Sequence, residues 1–171
     1  MTITYLHEPK KRRLTWEEYA LQLAITASLR SEDPYKQVGA CALDYENRVL
    51  GLGYNGLAPG KTVDESFWVD RDKRRPFMIH AEANCLSLFK AGECKILAVS
   101  LMPCSSCATL IAGYKIPKVV YYEEYQQDQQ AIEIFDFYNI ECQQIQFQHS
   151  ILQNNLLEQS KNNLLQKLRI K

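Results

Sequence analysis

His80-Ala81-Glu82 and Pro103-Cys104-Ser105-Ser106-Cys107 are the two stretches of this 171-residue chain that decide its fold and its chemistry. Together they supply one imidazole and two thiols, which are ligand types that zinc prefers. Three protein ligands leave the fourth position of a tetrahedral zinc open, and an open position is typical of a catalytic metal. We therefore predict one Zn2+ per chain, bound by His80, Cys104 and Cys107.

Glu82 lies two residues after the ligand His80, so its carboxylate can face a water on the metal without binding the metal itself. Zinc lowers the pKa of such a water to about 7. A carboxylate beside it can then act in turn as general base and general acid. The spacing predicts Glu82 as the catalytic proton shuttle. The alternative is a structural zinc site whose fourth ligand is Cys85 or a distant residue.

The order of elements predicts an α/β protein. Thr15-Trp16-Glu17-Glu18 has the capping-box pattern of a helix start, and residues 61–79 read as an insertion. The other segments are predicted as helices at 15–30, 80–91, 104–113, 126–138 and 150–168 and as strands at 38–43, 48–54, 96–101, 118–122 and 140–147.

The last two strands are expected to be parallel, because a strand–helix–strand connection is a right-handed crossover. The first two strands read as a hairpin. We predict a three-layer α-β-α sandwich around a mixed five-stranded sheet that is antiparallel only at this hairpin. The two zinc-ligand stretches are each expected to begin a helix. A helix N-terminus favours thiolate over thiol, so two helix starts that meet can hold one zinc.

Composition narrows the functional classes. The chain carries 20 basic and 20 acidic residues, so no net charge attracts it to nucleic acid. No apolar run is long enough to span a membrane and the N-terminus has no signal-peptide pattern. We expect a cytoplasmic protein, of a cell or of a host if the protein is viral. Disulfides are rare there, so Cys41, Cys85, Cys94 and Cys142 are interpreted as buried apolar residues rather than a second metal site.

The pattern His-x-Glu followed by Pro-Cys-x-x-Cys is a signature of zinc-dependent nucleobase deaminases. With it, the chain resembles the cytidine deaminase superfamily and, within it, the deoxycytidylate (dCMP) deaminases. The resemblance covers roughly residues 11–147 and includes the insertion before His80. It is also carried, in the family's order, by Leu14-Thr15-Trp16-Glu17-Glu18-Tyr19, Arg30-Ser31-Glu32-Asp33-Pro34, Gln37-Val38-Gly39-Ala40-Cys41 and Gly53-Tyr54-Asn55-Gly56.

The resemblance implies hydrolysis of dCMP to dUMP and ammonia, which supplies dUMP for thymidylate synthesis. It implies activation by dCTP and inhibition by dTTP, with Mg2+ accompanying the effector, in a homo-oligomer that is often a hexamer. The chain then divides into an N-terminal arm (1–13), a deaminase domain (14–148) and a C-terminal helix (149–171). This helix is expected to pack on the domain or on a neighbouring subunit, because its leucines would otherwise form an apolar patch.

The resemblance also implies roles for single residues. Asn55 is expected to bond the substrate's sugar or base, and the backbone N–H of Ala81 a base oxygen. Apart from the resemblance, Tyr125 is a candidate for packing against the nucleotide, because it follows the end of a predicted strand at the catalytic edge of the sheet. The loop Gly53-Tyr54-Asn55-Gly56 is implied to line the active site and to communicate with the effector site.

A basic cluster precedes the predicted zinc site. Phosphate binding needs cations or a helix start, so the cluster is either a phosphate site or a solvated charge run. Residues 57–79 contain no Cys or His, so no second zinc is predicted. The members of the cluster are Arg71, Lys73, Arg74 and Arg75.

Two other functions compete with deamination of a free nucleotide. A tRNA adenosine deaminase, or a cytosine deaminase acting on nucleic acid, would need a basic surface and stacking aromatic residues. The neutral net charge argues against this class. A zinc-binding module without catalysis is the other alternative, and the intact Glu82 argues against it.

Overall fold

The computed structural model describes residues 13–124 and 129–146. Most of the predicted N-terminal arm, Tyr125 and the predicted helix 150–168 lie outside the described residues. Within them, no helix has both the length and the hydrophobicity needed to cross a bilayer. The elements follow in the order α1 Trp16–Ser28, β1 Gly39–Asp44, β2 Val49–Tyr54, α2 Glu65–Val69, α3 Arg71–Arg74, a 3-10 turn Arg75–Phe77, α4 Ala81–Leu86, β3 Cys94–Leu101, α5 Ser105–Gly113, β4 Lys118–Glu123, α6 Gln130–Phe137 and β5 Glu141–Gln144.

The five strands form one sheet in the order β2-β1-β3-β4-β5. The parallel pairing of β3 with β4 and of β4 with β5 confirms the predicted crossovers. The prediction that only the first hairpin is antiparallel is wrong, because β1 pairs antiparallel with β3 as well as with β2. The chain passes from β2 through α4 to the far side of β1, so β3 runs in the direction of β2. β1 therefore lies between two strands that both oppose it.

Helix α1 begins where the capping box places it. The Thr15 hydroxyl accepts a hydrogen bond from the backbone N–H of Glu18 at 3.2 Å, and the Glu18 carboxylate accepts one from the backbone N–H of Thr15 at 2.8 Å. These two bonds satisfy donors that the first turn of any helix leaves unpaired. The helix start was therefore readable from the sequence alone.

Two apolar clusters cover the two faces of the sheet. The larger one joins the strands to α4, α5 and α6, and its most voluminous fully buried side chain is that of Phe135. The smaller one joins the other face to Ala20, Leu21 and Ala24 of α1. Helices thus lie on both faces, as predicted for a three-layer sandwich.

The interpretation of the spare cysteines agrees with this core. Cys41, Cys85 and Cys94 are fully buried, and Cys142 packs against the larger cluster. Burial raises the pKa of Cys41 and of Cys94 to about 12. These thiols are protonated and apolar at neutral pH, which is how small core residues behave.

Helix α4 is shorter than predicted. The sequence pattern favours a helix to residue 91, but α4 ends at Leu86. After that point the backbone N–H groups of Leu88 and Phe89 bond the carbonyls three residues earlier, at Cys85 and Leu86. This tightening turns the chain towards β3, and helix propensity cannot foresee it because it depends on where β3 lies.

Gly39 should tolerate no side chain. An added Cβ would lie 2.0 Å from the Ala24 carbonyl oxygen and 2.5 Å from the Ser28 nitrogen, both of them backbone atoms of α1. Gly39→Ala should therefore lower the free energy of unfolding by about 3 kcal/mol, at the upper end of overpacking costs. Gly113→Ala is the matched control, because nothing lies within 4 Å of its added Cβ. Chemical denaturation of both variants checks this, and an unchanged stability for Gly39→Ala would contradict it.

Candidate metal centre and active site

Two helices begin at the same edge of the sheet. β2 and β3 both oppose β1, so their carboxyl ends lie on one side. His80 is the residue that caps α4, and Cys104 caps α5 just after β3 ends. Cys107 lies in the first turn of α5. The fold therefore brings the two ligand stretches together although more than 20 residues separate them.

The geometry of the cluster fits zinc. The Nδ1 atom of His80 lies 3.2 Å from the Sγ of Cys107 and 3.6 Å from the Sγ of Cys104. The three ligand atoms all lie within 4.8 Å of one another. A tetrahedral zinc with ordinary bond lengths separates a nitrogen ligand from a sulfur ligand by about 3.6 Å. His80, Cys104 and Cys107 can therefore share one ion with little movement.

The protonation of the two thiols also suits a cation. The hydrogen bond from Cys107 lowers the pKa of Cys104 to about 4, and His80 contributes to this shift. The same hydrogen bond and burial raise the pKa of Cys107. These opposite shifts correspond to a Cys107 thiol that donates a hydrogen bond to a Cys104 thiolate. A divalent ion in place of the thiol proton favours the thiolate form of both, since metal ligation requires deprotonated sulfur.

Glu82 is buried beside the cluster, with 4% of its surface exposed. Burial raises the pKa of its carboxyl group, and the charge of His80 opposes this shift. A carboxyl group with a raised pKa takes up a proton more readily than an ordinary one and can return it. Glu82 is not among the three ligand groups of the cluster, so it is available for that task.

The structural-zinc alternative finds no support in Cys85. Its thiol donates a hydrogen bond to the Gly51 carbonyl oxygen at 3.4 Å, on the side of α4 that packs against β2. Among the described residues, His80, Cys104 and Cys107 form the group of side chains close enough to share an ion, and Cys85 does not join it.

A cavity of about 160 Å3 opens beside His80, Glu82 and Cys104. Ala81 and Asn55 also line it. The Asn55 amide, however, accepts a hydrogen bond from the Val38 N–H at 2.7 Å and donates one to the Lys36 carbonyl at 3.0 Å. In this structure Asn55 therefore joins β2 to the loop before β1. Contact of Asn55 and Ala81 with substrate stays a prediction.

The predicted basic cluster divides in the structure. Arg71, Arg74 and Arg75 line the cavity. Lys73 does not; its side chain is 86% exposed and pairs with Asp70 at 3.5 Å. Of the four predicted residues, Lys73 is therefore a solvated charge, and the three arginines are cations at the site.

Among the charged residues that line the cavity, sequence reasoning missed Asp33 and Lys36. They lie in the loop between α1 and β1, within and just after the family-like string Arg30-Ser31-Glu32-Asp33-Pro34. That string was the available signal. That Asp33 and Lys36 line the same cavity as the basic cluster could not be read from the string, because it depends on the tertiary fold.

The loop Gly53-Tyr54-Asn55-Gly56 lies against the catalytic helix. A Cβ at Gly53 would lie 2.4 Å from the Ala81 carbonyl oxygen, so only glycine permits this contact. Gly56 exchanges two backbone hydrogen bonds with Ile79, the residue before His80. The Asn84 amide of α4 donates to the Tyr54 carbonyl at 2.7 Å. These contacts connect the loop directly to α4, the helix that carries Glu82.

Three ligands with an adjacent buried carboxyl group, at the edge of such a sheet, are features of the zinc-dependent nucleobase deaminases. The model of the cytidine and deoxycytidylate deaminase zinc-binding region matches residues 14–123. A deoxycytidylate deaminase of Homo sapiens is 34% identical over 122 residues, which are 67% of this chain and 68% of that protein. The chain belongs to the cytidine and deoxycytidylate deaminase family.

Two phage proteins extend the comparison. A deoxycytidylate deaminase of Mycobacterium phage D29 is 35% identical over 127 residues, covering 66% of this chain and 98% of the phage protein. The crystal structure of dCMP deaminase from the cyanophage S-TIM5 in complex with dCMP and dUMP has a TM-score of 0.64 to this chain. It is 24% identical and covers 75% of this chain and 95% of the phage chain. This likeness confirms the fold.

The purified chain should contain one tightly bound zinc. Cys104→Ala should lose it, because two protein ligands bind zinc much more weakly than three. Cys142→Ala is the matched control. Cys142 is also a partly buried thiol, but it packs against the larger apolar cluster and is not one of the three predicted ligands. Elemental analysis of the three proteins checks this. Two metals per chain in the wild type, or full zinc content in Cys104→Ala, would contradict it.

Proposed function

We propose that this protein is a zinc-dependent deaminase that converts dCMP and water to dUMP and ammonia, supplying dUMP for thymidylate synthesis. The observation that carries the proposal is one cavity that is lined by Glu82, by two members of the ligand cluster, His80 and Cys104, and by several cations. The names of the relatives agree with this substrate. The setting is proposed to be the cytoplasm.

Glu82 moves the protons of the reaction. Zinc at this site, when bound, would supply Lewis-acid activation of the attacking water. Glu82 accepts a proton from that water and delivers it to ring nitrogen N3 of the cytosine, while the hydroxide so formed adds to C4. Glu82 then accepts the proton of the new C4 hydroxyl group and delivers it to the exocyclic amine, so that the C4–N bond breaks, C4 becomes a carbonyl carbon and ammonia leaves. One buried carboxyl with a raised pKa serves each step, because it remains close to all three positions. Burial of the site also excludes bulk water from these transfers.

The phosphate of dCMP is proposed to bind to Lys36, Arg71 and Arg75. All three line the cavity that contains Glu82. Lys36 forms an ion pair with Glu123, so the phosphate would compete with this carboxylate for the ammonium group. Cations on two separate segments can contact different oxygens of one phosphate, which favours a free nucleotide monophosphate over a nucleoside.

Regulation is proposed to act through the loop Gly53-Tyr54-Asn55-Gly56. A second surface cavity, of about 410 Å3, lies beside it and is lined by Arg30, Glu32, Lys61 and Asn84 among others. We propose that dCTP activates and dTTP inhibits from this cavity, with Mg2+ on the triphosphate, in a homo-oligomer that is a hexamer. Such an effector acts only if it binds one of two states more tightly. The Asn84–Tyr54 contact is the proposed link to α4.

Glu82→Gln should abolish dCMP turnover while zinc stays bound. The amide keeps the shape of the side chain but cannot take up and return protons. Because one residue acts in several steps, the loss in kcat should be about 10⁴-fold, the upper end for general acid–base catalysis. Ammonia release with dCMP, measured beside the zinc content of the same sample, checks this.

Glu46→Gln is the control, because Glu46 lies in the exposed turn between β1 and β2, where it pairs with Arg48. It should retain full activity. Activity of Glu82→Gln within about tenfold of the wild type would refute the proton-shuttle role. Turnover of a nucleic-acid substrate but not of dCMP would instead support the polynucleotide deaminase alternative.

The effectors should change the dependence of rate on dCMP concentration. In the presence of Mg2+, dCTP should lower the dCMP concentration that gives half-maximal rate and dTTP should raise it. Steady-state assays with dATP as the control nucleotide check this, and light scattering of the same samples reports the oligomeric mass. Saturation curves that neither nucleotide alters would remove the regulatory part of the proposal.

A further inference from the structure

Asp33 and Arg74 form a buried ion pair beside the active-site cavity. Nη1 of Arg74 lies 3.4 Å from Oδ2 of Asp33, and each side chain is only 7% exposed. The two residues come from different segments, the loop before β1 and the end of α3. Both line the cavity that contains Glu82.

The Asp33 carboxylate also shapes its own loop. Its Oδ1 atom accepts hydrogen bonds from the backbone N–H groups of Tyr35 at 2.8 Å and of Lys36 at 3.2 Å. The turn that carries Lys36 into the cavity is therefore fixed by the same carboxylate that bonds Arg74. The Asp33 side chain therefore connects the loop that carries Lys36 to the segment that carries Arg71 and Arg75.

The Arg74 guanidinium lies over two aromatic rings. Its central carbon lies 4.8 Å from the Tyr35 ring centroid and 6.0 Å from that of Trp68. Its Nε atom is buried and has no hydrogen-bond partner among the described residues. A buried ion pair with an unpaired donor is a poor source of stability compared with apolar side chains of similar size. We therefore interpret the buried Asp33–Arg74 pair as serving the function of the site rather than the stability of the fold.

Arg74 lies within the segment that presents the other cations. Arg71 is three residues before it, at the start of α3, and Arg75 follows it directly. Both line the cavity, and fixing Arg74 fixes the backbone between them. The spacing between Lys36 on one side and Arg71 and Arg75 on the other is thus set by the Asp33–Arg74 contact.

We propose that Asp33 and Arg74 are positioning residues that hold Lys36, Arg71 and Arg75 at the separation required by a nucleotide monophosphate, and so make the site prefer the nucleotide to the nucleoside. This inference rests on the proposed function. Neither residue touches the reacting atoms. Loss of the pair should weaken phosphate binding and leave the chemistry at Glu82 intact.

The test compares variants of the zinc-loaded full chain on dCMP and on deoxycytidine. Asp33→Asn alone strands a buried guanidinium and can fail to fold. The double variant Asp33→Asn/Arg74→Met removes both charges and keeps apolar volume, so it is the main probe. The KM for dCMP should rise about 10- to 100-fold, as expected for lost charge-assisted hydrogen bonds. The kcat for dCMP, the zinc content and kcat/KM for deoxycytidine should all stay within about threefold.

Arg74→Lys should restore part of the dCMP affinity, because it keeps the positive charge but loses the planar group over the rings. Lys90→Met removes an exposed cation from the loop before β3 and is the control. This variant should change the kinetic constants for neither dCMP nor deoxycytidine. Equal losses on dCMP and deoxycytidine would show a merely structural role and overturn the proposal. An unchanged KM for dCMP in the folded double variant would do the same.

Calorimetry separates this proposal from the proposed function. Wild type and double variant are titrated with dUMP and with deoxyuridine, which requires no turnover. A wild-type preference for dUMP that the double variant loses supports the positioning role, even if the wild type fails to deaminate dCMP. Equal affinity of the wild type for both compounds overturns it. A preference that the double variant keeps also overturns it.

Discussion

The position of β1 between β2 and β3 is the constraint on which the site depends. Because β1 opposes both neighbours, β2 and β3 share a direction and end at one edge of the sheet. Helix α5 follows β3 directly, and α4 begins at the same edge because Gly56, just after β2, pairs with Ile79, just before His80. His80 and Cys104 cap these helices and meet there. Open α/β sheets commonly bind ligands at the carboxyl ends of their strands, and the geometric reason here is explicit.

The electrostatics of this edge suit a cation at its centre. Two sulfurs, one of them with a strongly lowered pKa, and a buried carboxyl group lie close together. The N-terminus of α5 carries a positive partial charge, which offsets part of the negative charge. A divalent ion would offset more of it. Without a metal, the repulsion among these groups lowers the free energy of unfolding. The apolar clusters on both faces of the sheet offset this loss.

The segment between Gly56 and His80 has little core of its own. Helices α2 and α3 are short, and each begins with an aspartate cap, Asp64 and Asp70. Aromatic contacts of Phe67 with Trp68 and Phe77 hold the segment together. The Asp33–Arg74 pair then attaches it to the loop before β1. Short elements with few apolar contacts are positioned by such specific polar contacts, because propensity alone does not keep them in place.

The sequence by itself determined the elements whose signals are local. The capping box marked the start of α1, strong strand formers marked β3 and β4, and ligand type and spacing marked His80, Cys104, Cys107 and Glu82. These features depend on residues near each other in the chain, so one sequence suffices to read them. The fold class followed from the order of the elements.

Only the tertiary structure decided which distant segments share the site. The antiparallel pairing of β1 with β3, the early end of α4 and the exposure of Lys73 all depend on where other segments lie. The same holds for Asp33, which contacts Arg74 across 41 residues of chain, and for Lys36, which lines the same cavity. Long-range packing leaves no periodic signal in a single sequence, because each contact is fixed by the sum of all others. The sequence thus predicted the zinc ligands and the proton shuttle, and the tertiary structure decided which charged residues surround them.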